Sequence, residues 1–112
     1  MEILALQDLE VHDVFEFMQG AYEGKHWQSS SIYFTEESFH GLCLHVVEVV
    51  ENFHYFGPNI VTVEQWEKVK NRVYSSGNND DKTLSFIDAF NKVDEWVQEN
   101  FKYHACFSIC GP

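Results

Sequence analysis

Six histidines, three cysteines and eighteen acidic residues give this chain its capacity for chemistry. The densest cluster of metal-binding types is His40, Cys43 and His45. On a helix, Cys43 and His45 diverge by about 160°, so the three do not converge on one ion. His40 with Cys43, and His12 with Glu16, offer two ligands each, whereas a structural zinc site takes four. No metal and no other cofactor is expected.

Nucleophilic chemistry needs a cysteine beside a base. Cys43 falls on the apolar face of its predicted helix, where a thiol behaves as a small core residue. Cys106 and Cys110 are better placed, with His104 close in sequence, and on a strand His104 and Cys106 point to the same side. Nothing nearby reads as an oxyanion hole or a nucleophile elbow, which favours a structural pair over catalysis. An odd number of cysteines without a C-x-x-C spacing suits free thiols. Along a strand Cys106 and Cys110 would lie about 13 Å apart, beyond bridging distance. The run Gly77-Asn78-Asn79-Asp80-Asp81 has the composition of a calcium loop but neither its alternate ligands nor its closing Glu, and reads as a solvated turn.

Surface patterning is more informative. A first helix is expected from Asp8 as N-cap to Gly24, because Val11, Val14, Phe15, Met18 and Tyr22 recur at helical spacing; Gly20 offers an earlier end. On its opposite side Glu10, Asp13, Glu16 and Glu23 surround Phe17. Trp96, on the last helix, projects away from that helix's buried stripe between Lys92 and Glu99. An aromatic anchor among acids is the composition of a hot spot for a basic partner, so Glu10, Asp13, Glu16, Phe17, Glu23 and Trp96 are the expected partner-binding residues. Asp94 falls inside the apolar arc of its helix and is expected either half-buried and paired or placed at an edge, with a salt bridge to Lys or Arg favoured over catalysis.

The elements that must position these groups follow from the same patterning. Ser31 to Thr35 reads as a short strand, with Thr35 capping a second helix that carries Glu36 and Glu37 in its first turn and stops at Gly57-Pro58. Asn59 to Val63 is β-rich, and Thr62 with Gln65 forms a capping box for a third helix to about Tyr74. Residues 84 to 101 form a fourth helix burying Phe86, Ile87, Phe90, Val93, Val97 and Phe101. Tyr103 to Ile109 alternates as a strand does, and residues 1 to 6 offer another. The expected fold is α+β, a single domain with about four helices packed on a small sheet of two to four strands.

Composition agrees with one core. The chain has 112 residues, 45% apolar and 16% aromatic, far from a disordered composition. Its net charge of −11 repels phosphate backbones and argues against direct nucleic-acid binding. The charge is lopsided: residues 1 to 56 hold ten acids and one base, Lys25, while residues 57 to 112 hold eight acids and six bases. Such a field steers a cationic partner toward the first half. Met1-Glu2-Ile3-Leu4 lacks a secretory pattern, and His45, Glu48 and Glu51 interrupt the best apolar run, so a cytoplasmic chain without membrane contact is expected.

A small acidic, aromatic-rich domain without a catalytic signature resembles, in type over its whole length, the immunity proteins of bacterial contact-dependent and polymorphic toxin systems. That resemblance implies a toxin inhibitor: a protein that binds a cognate toxin domain, often a nuclease with a basic active site, and blocks substrate entry. Two other classes stay open from the residues alone. One is a structural or regulatory interaction module, including a homodimer joined through aromatics; the other is a small Cys/His enzyme or ligand-binding domain.

Overall fold

The computed structural model describes residues 1–76 and 80–112, so Gly77 to Asn79 of the calcium-like run lie outside the described residues. Three α-helices start at side-chain caps. Thr35 Oγ1 accepts the Ser38 N–H at 3.1 Å and opens α1, Glu36–Val49. Thr62 and Gln65 form the expected reciprocal capping box and open α2, Val63–Ser75. Asp80 accepts the Thr83 N–H at 2.7 Å and opens α3, Asp81–Phe101. Each cap supplies an acceptor to an N–H that the first helical turn leaves unpaired. α1 ends at Val49, short of the expected stop at Gly57-Pro58, and Asn52, with φ +59°, turns the chain beyond it.

Four strands form one antiparallel sheet: β1 Val14–Gln19, β2 Ile32–Thr35, β3 Pro58–Thr62 and β4 Cys106–Cys110, in the order β2-β1-β4-β3. β4, last in sequence, inserts between β1 and β3. In place of a further strand, residues 1 to 6 contribute a single bridge. Leu4 and Tyr33 exchange two backbone hydrogen bonds of 2.9 Å, which partly covers the outer edge of β2.

The helix expected over residues 8 to 24 does not form, and the described residues hold three α-helices instead of four. Its central residues are β1. Val14, Phe15, Glu16, Phe17 and Met18 are all buried, as they must be in a central strand covered on both faces. Such a strand loses the alternation that marks a one-sided sheet, and its run of bulky residues imitates the spacing of a helical stripe. Asp8 caps no α-helix; it ends a short 3-10 turn, Leu6–Asp8, and its carboxylate accepts the Ala5 N–H at 3.0 Å.

All three helices lie on one face of the sheet. Phe15, Phe17, Phe34, Val61, Phe107 and Ile109 point into this layer, against Phe39 and Leu42 of α1, Trp66 and Val69 of α2, and Phe90, Val93 and Val97 of α3. Asp94 is half-buried and paired as expected: it accepts the Trp66 indole N–H at 2.8 Å and meets Lys70 Nζ at 3.2 Å.

Candidate functional site

The opposite face of the sheet carries the polar chemistry. Alternation along β1 turns Val14, Glu16 and Met18 away from the helices, beside Tyr33 on β2 and Ser108 and Cys110 on β4. No helix covers them. Residues 20 to 31, which join β1 to β2, fold back over this face, and every one of these six side chains is buried.

Gly20 starts the return. Its φ of +67° is a left-handed value that glycine adopts without a side-chain penalty, and a Cβ there would stand 2.9 Å from His104 Nδ1. Buried Asn100, near the end of α3, fixes the turn by accepting the Gly20 N–H at 2.9 Å while donating to the Cys106 carbonyl at 2.9 Å. The Ser108 hydroxyl donates to the Gly20 carbonyl at 2.8 Å.

Glu16 holds the far end of the loop. Its side chain is only 3% exposed. Oε1 accepts the Trp27 N–H at 2.9 Å, and Oε2 accepts the Gln28 N–H at 3.1 Å. The Tyr33 hydroxyl, with one proton to give, lies 2.6 Å from the Gln28 carbonyl and 3.2 Å from Glu16 Oε2. A buried carboxylate is stabilised by such donors, and the backbone it grips is fixed in return. That grip has a local cost: Trp27 has φ +61°, a left-handed conformation uncommon for a bulky residue, which the surrounding bonds must sustain. The Trp27 ring stacks on Tyr33 with centroids 6.1 Å apart, and His12 meets it edge-on at 5.2 Å.

Beside this loop a cleft of about 290 Å³ opens, with Glu16 among its lining and His12, His26, Trp27 and Phe56 around it. The C-terminus shapes the cleft through Gly111, where a Cβ would fall 1.7 Å from the Tyr55 carbonyl oxygen. Only glycine lets these two backbones approach, and the approach sets Phe56 beside the opening. The Tyr22 hydroxyl lies 3.0 Å from His26 Nε2; with that hydroxyl donating, the imidazole carries its proton on Nδ1, 3.8 Å from Glu16 Oε1. That separation is too long for a hydrogen bond.

Burial and the Glu16 charge raise the Tyr33 phenol far above its ordinary value. Burial first, and then Glu16, push the Cys110 thiol up to about 11, with Met18 Sδ 3.3 Å from its sulfur. Cys43 is also raised, by burial. His104 precedes β4 and packs against Gly20, so the strand geometry expected to align it with Cys106 does not apply. Among the described residues no group of three or more His, Cys, Asp or Glu side chains is placed to hold a metal ion. No helix among them is long and apolar enough to cross a membrane.

The six residues expected at a partner surface do not share one face. Glu10, Asp13 and Glu23 are exposed. Glu16 and Phe17 are interior and, being neighbours on a strand, point to opposite sides of the sheet. Trp96 is half-buried: its ring packs against Phe17 and Phe107, and its indole N–H donates to the Ser30 carbonyl at 3.0 Å, so it clamps the β1–β2 loop from α3. Patterning missed two exposed aromatics at this cleft, Phe56, 76% exposed, and Trp27, 41% exposed; Tyr55, Tyr74 and Tyr103 are exposed as well. Phe56 and Trp27 lie in segments without periodicity. One signal pointed to the site: Glu16 is the lone acid in the run Val14-Phe15-Glu16-Phe17-Met18.

Fold and site together define an α+β protein with a helix-backed antiparallel sheet and a carboxylate-anchored loop on the other face. No protein-family model, curated protein or solved structure matches the chain.

Proposed function

We propose that this protein is a binding protein of the immunity type, which neutralises a basic toxin domain by docking over its active site. One observation carries the reading. The loop-covered side presents the exposed rings of Phe56 and Trp27 beside a cleft lined by Glu16, in a part of the chain where residues 1 to 35 hold six acids against one base. Exposed Asp13 adjoins His12, which packs on Trp27, so an exposed acid and the aromatic anchor belong to one region. Rings that bury area at little entropic cost supply affinity, and the acids around them supply steering. Compared with the expectation from patterning, Trp27 and Phe56 replace Phe17 and Trp96 as anchors, while Glu10, Asp13 and Glu23 keep their role in steering.

The test is association with the toxin domain encoded beside this gene, followed by stopped-flow mixing. The association rate should fall at least about tenfold between low salt and physiological salt, because exposed charges are screened over a Debye length of ~8 Å at 0.15 M. Phe56→Ala should speed dissociation by about tenfold or more, the scale of a hot-spot residue. No complex, or an association rate indifferent to salt, overturns the proposal.

A further inference from the structure

We infer that the Glu16 cleft is a receptor for one guanidinium group, an arginine side chain of the basic partner. This rests on the reading of the protein as a binder of a basic partner, and deepens it by naming what enters the cleft. A carboxylate offers about four lone-pair sites. On Glu16 Oε2 the Gln28 N–H uses one, and the Tyr33 hydroxyl uses a second only when its single proton turns from the Gln28 carbonyl, 2.6 Å away; on Oε1 the Trp27 N–H uses one, and His26 Nδ1 stands off at 3.8 Å. At least one acceptor position thus remains on a buried anion that lines an open cleft. The walls suit the same ligand. Phe56 is an exposed ring, and Trp27, stacked on Tyr33 on one side, is partly exposed; aromatic rings attract a planar, weakly hydrated cation, which favours guanidinium over ammonium. Volume agrees too: about 290 Å³ accommodates one side chain and is small for a larger ligand.

The fit also explains why the backbone of Trp27 is held in a left-handed conformation. A single carboxylate positions the Trp27 ring and serves the cleft, so the acceptor and the aromatic wall are set before any ligand arrives. Preorganisation of this kind lowers the ordering cost of binding.

The probe is a blocked Gly-Arg-Gly peptide, titrated into the isotope-labelled full chain at about pH 8, above the ordinary histidine value of ~6.5, and followed by amide and indole chemical shifts. The same peptide with citrulline in place of arginine is the uncharged control. Support is a saturable shift at Trp27 and Gln28, with a dissociation constant on the order of millimolar, no saturation with citrulline, and weakening of about threefold in Phe56→Ala. Glu16→Gln should abolish the saturable shift; should that variant unfold, Phe56→Ala decides alone, since Phe56 is an exposed rim residue. Shifts that stay linear, equal binding of the citrulline peptide, or unchanged affinity in Phe56→Ala overturn the inference. Free arginine binding about tenfold more tightly than the blocked peptide also overturns it, by assigning the cleft to a small molecule. Failure here leaves complex formation with the toxin to be judged by its own salt dependence, so the two readings fall separately.

Discussion

Phe17 and Glu16 are neighbours on one strand and meet opposite worlds. On the helix side, Phe17 sits among Phe34, Phe107 and Phe39 with ring centroids 4.8, 5.5 and 5.8 Å away. On the loop side, Glu16 meets two backbone N–H groups and a phenol. The helix layer is held by apolar area and packing, which are non-directional and tolerate many side chains of suitable volume. The loop layer is held by directed bonds to backbone, which tolerate few. Stability is therefore concentrated on one face and conformational specification on the other, and the exposed rings belong to the specified face.

The sharpest way to break this comparison is to cut a large side chain from the helix layer. Phe17→Ala should cost about 3–5 kcal/mol, the range for deleting a buried ring and leaving a cavity, as read from urea unfolding. Phe56→Ala, removing a ring that is 76% exposed, should stay within about 0.5 kcal/mol. Equal losses would mean that the loop side also stabilises through apolar area.

A smaller effect should follow from Glu16→Gln, and it should be local. The carboxamide keeps one oxygen acceptor but turns the other into a donor group facing N–H neighbours, so one of the Trp27 and Gln28 amides loses its partner. A buried donor left unpaired costs on the order of 2 kcal/mol. Amide exchange at Trp27 and Gln28 should quicken by tenfold or more, while Val93 and Val97 in α3 change only with the global stability. A uniform acceleration throughout the chain would show that the carboxylate supports the whole fold and not the loop.

How far the sequence revealed these two faces differs between them. The helices were legible because their signals are local: Thr35, and Thr62 with Gln65, are caps within four residues of the groups they serve. β3 and β4 were legible as β-rich or alternating runs, and the pairing of Asp94 followed from its place in an apolar arc. β1 was not legible, because a strand buried on both faces shows no alternation; Phe15 and Phe17 go to the helices, while Glu16 and Met18 go to the loop. Helical spacing over that segment puts Phe17 and Glu16 on the outer side. Asn100 was missed for a related reason. Nothing within its helix marks it as buried, since its partners Gly20 and Cys106 come from β1 and β4 ends that only the tertiary fold brings together.

A loss smaller than that of Glu16→Gln separates the faces by their response to alkali. Cys110, on the loop side, has an ordinary thiol value of 9.0 when unfolded and about 11 when folded, raised by burial and then by the Glu16 charge. The unfolded chain therefore gives up this proton first as pH rises. The stabilisation is fully present below pH 9.0 and is lost as pH climbs from there through about 11. By about pH 10 the loss should be roughly 1 kcal/mol, and Cys110→Ala should remove it from the pH dependence of the urea midpoint. Tyr33 shifts in the same direction, so a further loss above the ordinary phenol value should persist in that variant. On the helix side, Cys43 is raised by burial alone. Cys43→Ala should therefore flatten the alkaline limb less than Cys110→Ala does. If the two variants flatten it equally, burial suffices on both sides, and the Glu16 carboxylate does not give the loop face its particular sensitivity to deprotonation.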